Sequence, residues 1–138
     1  MKQVLFDSDV VLDVLANREP FVIASAKALD TIMQERSRGY ISGHAVTNIF
    51  YILRRQVGRE AAIALLARLL ANLQIASVTD SVIRAALQSS MTDFEDAVTS
   101  EAAHALALDF IVTRNTRDFR QSLVPAIQPE AFCASLSE

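Results

Sequence analysis

Short apolar runs that alternate with amphipathic stretches predict an α/β sandwich around a mostly parallel sheet of four to five short strands. Three observations carry this reading. Val4-Leu5-Phe6, Tyr40-Ile41-Ser42 and Phe110-Ile111-Val112 are too short for helices and continuous enough for strands covered on both faces. The segments between them are long and place apolar residues at three- and four-residue steps, as crossover helices do. Only three glycines and three prolines punctuate 138 residues, too few for a loop-rich or low-complexity design.

The elements follow in order. Val4-Leu5-Phe6 ends at Asp7, and residues 10–16 form a short helix with Asp9 as N-cap. Asn17-Arg18-Glu19-Pro20 interrupts the chain. Over 21–38, Ile23, Ala26, Leu29 and Met33 mark one face of a helix that Gly39 closes. Tyr40-Ile41-Ser42 is the second strand. Residues 45–57 are helical, with Val46, Ile49, Phe50 and Leu53 on one side and Gly58 as the stop. Residues 59–73 are rich in Ala, Leu and Arg, strong helix formers, but their leucines cover more than one face. A helix apolar on two sides buries both, which predicts a homodimer through this helix. Residues 75–78 are the third strand. Thr79 caps a helix to about residue 88, and Thr92-Asp93-Phe94-Glu95 reads as a capping box opening a helix to about residue 106. Phe110-Ile111-Val112 is the last long-range strand; Pro125 and Pro129 bracket a short edge strand, and Pro129-Glu130-Ala131-Phe132 opens a terminal helical turn. With no repeat and no linker, residues 1–138 read as a single domain.

Composition narrows the class. Hydrophobic residues at 51% and charged residues at 21% exclude disorder. A net charge of −3 argues against binding nucleic acid by bulk charge and leaves room for a local basic rim. One cysteine, Cys133, cannot form an internal disulfide. No basic head followed by an apolar stretch opens the sequence, and no window of about 18 residues is free of charge, so neither a secretory signal nor a membrane span is expected. The expected location is cytoplasmic.

Ligands of open α/β sheets sit outside the carboxyl ends of the strands. Asp7 ends the first strand; Thr113, Asn115 and Asp118 follow the last; Asp93 and Asp96 lie in a helix's first turn, where the dipole tolerates anions. Gathered at one end of the sheet, these carboxylates would raise one another's pKa and invite a hard divalent cation, Mg²⁺ or Mn²⁺. Asp13 reads as part of a solvated face and Glu95 as the capping-box partner. His44 and His104 lack zinc spacing, and Ser8, Ser42 and Cys133 lack a base at a suitable spacing, so neither zinc chemistry nor a covalent nucleophile is expected.

Val4-Leu5-Phe6-Asp7-Ser8-Asp9 resembles the opening DxD motif of haloacid-dehalogenase-type phosphatases, but that family needs a later lysine near the phosphate, and only Lys2 and Lys27 exist here. The whole chain more closely resembles the PIN-domain nucleases, especially the VapC-like toxin ribonucleases of toxin–antitoxin pairs. Phe6-Asp7-Ser8-Asp9-Val10-Val11-Leu12 is similar to that family's first motif, and Asp96-Ala97 opens the matching alanine-rich helix. Thr113-Arg114-Asn115-Thr116-Arg117-Asp118-Phe119 matches its strand-following T-R-N-x-x-D-F. The resemblance implies a PIN-like three-layer α/β/α sandwich and Mg²⁺- or Mn²⁺-dependent hydrolysis of RNA phosphodiester bonds. It makes Asp7, Asp96 and Asp118 the catalytic, metal-binding acids, with Asp93 and Asp9 as further candidates. Thr113 and Asn115 would be supporting residues, and Arg114, Arg117 and Arg120 would hold the RNA. It also implies a cognate antitoxin as partner. Where the family usually carries a Glu early in the helix after the second strand, this chain has Asn48. That exchange removes one negative charge, and it favours an alternative: a PIN-like module that binds RNA or protein with weakened cleavage.

Overall fold

The computed structural model describes residues 1–136. Among them five strands, β1 (Lys2–Phe6), β2 (Ser37–Ser42), β3 (Gln74–Ala76), β4 (Phe110–Val112) and β5 (Ala126–Ile127), form one sheet in the order β3-β2-β1-β4-β5. Every pairing is parallel. The crossovers are supplied by α1 (Ser8–Leu15), α2 (Val22–Met33), α3 (Gly43–Val57), α4 (Arg59–Leu70), α5 (Asp80–Leu87) and α6 (Phe94–Ala105), with α7 (Pro129–Ser135) after the sheet.

β1 sits at the centre because it is apolar on both faces: Val4, Leu5 and Phe6 have no exposed surface. Strand alternation sends Val4 and Phe6 into one core, with Val10, Val11, Ile49, Leu53 and Phe132, and Leu5 into the other, with Val98, Ala102, Ile111 and Phe119. Two cores flanking one sheet make three layers, the α/β/α sandwich expected. Phe6 meets Phe132 edge-on, with ring centroids 6.3 Å apart at 85°, and its complete burial contributes about 2 kcal/mol.

The chain leaves β1 for β2 on one side and later inserts β4 on the other. The direction of winding therefore reverses at β1, and the carboxyl ends of β1 and β4 border a crevice. The Asp7 amide donates to the Val112 carbonyl at 2.9 Å, tying the two strand ends together.

Several local expectations are corrected. The second helix stops at Met33 and not at Gly39, which lies inside β2. A Cβ there would come within 2.5 Å of Ile32 Cδ1, 2.6 Å of Leu73 Cδ2 and 2.8 Å of Phe6 Cε2, so glycine is kept by close packing and not as a cap. The N-cap of α1 is Asp7, whose side chain accepts from the Ser8 amide, and not Asp9. The N-cap of α6 is Asp93, which accepts from the Asp96 amide, so Thr92 and Glu95 form no capping box. Asp13 has no solvent exposure at all and is not on a wet face. The third strand covers Gln74–Ala76, short of Val78. The helix read over 59–73 ends at Leu70, and its leucines turn inward: Leu66 and Leu73 are core residues, and Leu65, Leu69 and Leu70 pack half-buried against the same core. Ile63 is its outward apolar residue. No helix among the described residues is long and apolar enough to cross a membrane.

Candidate active site

Asp7 leaves β1 where the chain turns into α1, which makes it both strand end and helix cap. One carboxylate oxygen accepts from the Ser8 amide at 2.9 Å, and the other accepts from Thr113 Oγ1 at 2.9 Å. Burial pushes its pKa up to about 6, assisted by the charges of Asp9 and Asp118 and opposed by the Thr113 and Ser8 hydrogen bonds. Thr113, fully buried just beyond β4, also lies 3.3 Å from Asp9 Oδ2. A hydroxyl has one proton to give, and the shorter contact directs it to Asp7.

Asp9 braces the loop after β4. Its Oδ2 accepts from the Arg114 amide at 3.0 Å and from Asn115 Nδ2 at 3.1 Å, while Oδ1 accepts from the Val10 amide at 2.7 Å. The Asn115 amide in turn donates to Thr113 Oγ1 at 3.1 Å. This loop leads into the 3-10 turn Thr116–Phe119, anchored by the buried Phe119, which carries the exposed Asp118. Burial raises the pKa of Asp9, with the hydrogen bonds from Arg114 and Val10 pulling the other way.

Asp96 stands half-exposed in the first turn of α6. Its pKa is pushed up to about 7, by burial first, then by the charges of Asp7, Asp93, Asp118 and Glu95. Elements from three stretches of chain thus bring Asp7, Asp96, Asp118 and Asp93 within one another's electric field. The donors are oxygens only, which suits a hard cation. Among the described residues no three His, Cys, Asp or Glu side chains stand as a ready-made ligand set. Mg²⁺ does not require one, since it keeps several waters and binds through one or two carboxylates. The residues present fit such an ion.

Asn48 lies on α3 with its Nδ2 3.5 Å from Glu95 Oε2, so it faces the first turn of α6. His44, at the start of α3, has Nε2 3.4 Å from Thr99 Oγ1. Burial lowers its pKa, opposed by the hydrogen bond and charge of Glu95.

Arg114 does not reach toward solvent as a backbone clamp would. Its Nε and Nη2 donate to Asp13 at 2.7 and 3.1 Å, and its guanidinium lies 3.8 Å over the Phe21 ring. Asp13 also accepts from Ser25 Oγ at 2.9 Å. Sequence reasoning missed Asp13, Ser25 and Phe21. The signal available was that Asp13 lies one helical turn beyond Asp9 on a helix flanked by Val10, Val11 and Leu12, where a wet face has no room. Arg117 and Arg120 remain exposed; with Asp118 and Thr92 they line a cavity of about 310 Å³.

A family model described as PIN domain matches residues 3–117, one residue short of Asp118. No curated protein matches the chain. Several solved structures are similar in fold. VapBC2 from Rickettsia felis, bound to a DNA fragment from its promoter, has a TM-score of 0.73 at 13% identity, over 91% of this chain and 98% of that one. A toxin–antitoxin complex from Klebsiella pneumoniae has a TM-score of 0.70 at 17% identity, over 91% and 97%. VapC20 of Mycobacterium tuberculosis, a toxin that cleaves the sarcin–ricin loop, has a TM-score of 0.67 at 14% identity, over 83% and 92%.

Proposed function

The chain belongs to the PIN-domain family, and on that premise we propose that it is a divalent-metal-dependent endoribonuclease, the toxin of a toxin–antitoxin pair. The observation that carries this reading is that Asp7 and Asp96 at the crevice beside β1 both have raised pKa values, by burial first and then by neighbouring acids, Asp9 and Asp118 for Asp7 and Asp7, Asp93, Asp118 and Glu95 for Asp96. Acids that oppose one another's ionisation at a switch point are arranged for a cation and a phosphate, not for stability.

Asp7, Asp96 and Asp118 would hold Mg²⁺ or Mn²⁺, with Asp93 at the margin. When bound, such an ion supplies Lewis-acid polarisation of a phosphodiester and acidification of water. Thr113 keeps the Asp7 carboxylate oriented through its 2.9 Å hydrogen bond. Asp9 and Asn115 hold the loop that presents Asp118. Arg117 and Arg120, exposed beside Asp118, offset the acids and take the RNA backbone. The fold likeness to a toxin–antitoxin complex and to an RNA-cleaving toxin supports an antitoxin partner and an RNA substrate. RNA as substrate and a single cysteine suit a cytoplasmic site of action. A homodimer through α4 belongs to the same proposal, resting now on Ile63 and Val57, exposed on either side of the Gly58 turn.

The test is cleavage of single-stranded RNA by purified protein in Mg²⁺ or Mn²⁺, stopped by EDTA. EDTA-resistant cleavage would exclude the mechanism. RNA binding without cleavage would favour the second reading, a binding module, for which Asn48 in place of Glu is the supporting observation.

A further inference from the structure

A second hollow adjoins the acids. It has a volume of about 400 Å³, within the range of small-molecule sites, and is lined by Pro20, Phe21, Ser25, Arg114, Gln128 and Glu130. Arg114 and Gln128 also line the cavity of about 420 Å³ that contains Asp118. The two hollows are therefore neighbours that share these side chains.

Phe21 is the prominent apolar feature of the second hollow and is 40% exposed. Its ring is held in place by the Arg114 guanidinium, 3.8 Å away, which is itself fixed by two hydrogen bonds to Asp13. Asp13 is wholly buried. Taking that carboxylate out of water is costly, and well-packed apolar residues of similar volume often stabilise a fold as well as a buried ion pair does. The ion pair fixes the guanidinium that lies over one face of the Phe21 ring. Single-stranded RNA is gripped on such rings, because every base has a face to stack. The hollow also has polar edges, the Gln128 amide and the Glu130 carboxylate, that can meet the edge of a base. Glu130 repels a phosphate, which Arg117 and Arg120 accept more readily beside Asp118.

We propose that this hollow is a base-binding subsite, in which the base of a nucleotide flanking the scissile phosphate packs against the part of the Phe21 ring that Arg114 leaves exposed. The proposal rests on the ribonuclease reading for its substrate and can fail independently of it.

The chain has no tryptophan, so Phe21→Trp introduces a sole indole reporter. Its emission is titrated with a mixed-sequence single-stranded RNA decamer in EDTA, and with an abasic strand of equal length. Saturable quenching by the RNA and none by the abasic strand is expected. In parallel, fluorescence anisotropy of labelled decamer should show Phe21→Leu binding at least about fivefold more weakly than the parent, with Phe21→Tyr restoring it. Unchanged thermal melts would separate this loss from misfolding. RNA that binds without quenching, equal quenching by the abasic strand, or equal affinity of Phe21→Leu and parent each overturn the subsite. Phe21-dependent binding by a protein that never cleaves in Mg²⁺ would instead retain the base site and remove the ribonuclease reading.

Discussion

Asp7 and Asp96 are held in a state that favours the proton, and this has a measurable sign. Each carboxyl titrates higher folded than unfolded, so each contributes stability that is complete below the unfolded value of 3.8. That contribution is lost as pH rises through about 6 for Asp7 and about 7 for Asp96. Metal-free protein should therefore become less thermostable between about pH 4 and about pH 7.5, and millimolar Mg²⁺ should reverse much of the loss at the upper end. Melting curves in EDTA across that range check it; a melting temperature that rises with pH over the same window would contradict it. Asp96→Asn should abolish RNA cleavage while raising the melting temperature in EDTA at neutral pH, because it removes a charge that four neighbouring acids oppose. Asp7→Asn should behave likewise, since its amide oxygen can still accept from the Ser8 amide while its Nδ2 donates to Thr113 Oγ1, whose own proton can turn to Asp9. A variant with full cleavage would remove that residue from the site.

The elements show why part of this was legible in sequence and part was not. Asp7 is visible because a buried run ends in an acid, and Asp96 because it opens an alanine-rich helix. Both signals lie within a few residues of chain. The partnership of Arg114 with Asp13 spans 101 residues and depends on β4 pairing with β1, which brings the loop after β4 beside α1 and which no local pattern reports. The same limit misplaced Gly39: a glycine after a periodic stretch reads as a helix stop, whereas its meaning here is a meeting of α2, β1 and Leu73. Gly39→Ala should cost about 1–3 kcal/mol, since three side-chain ends must give way at once; chemical denaturation measures it, and a neutral result would mean the core yields more easily than its packing indicates. Arg114→Met should cost about 3 kcal/mol by leaving Asp13 buried with only Ser25 as partner, and Asp13→Asn in that background should recover part of it. Additive losses in the double variant would show that the pair does not act as a unit.

At the scale of the whole molecule, the inward leucines of α4 change what a dimer could use. With Leu66 in the core and Leu65, Leu69 and Leu70 packed half-buried against it, Ile63→Glu is the substitution expected to give a folded monomer. Light scattering that finds a monomer for the unaltered chain at micromolar concentration removes the dimer altogether. The sheet itself offers no substitute route. Its borders are β3, three residues long, and β5, two residues long with Pro125 immediately before it. Such stubs expose too few unpaired amides and carbonyls to template another chain's backbone. Edge-to-edge growth of crowded copies into fibrils is thereby disfavoured, and any self-association is left to helix surfaces.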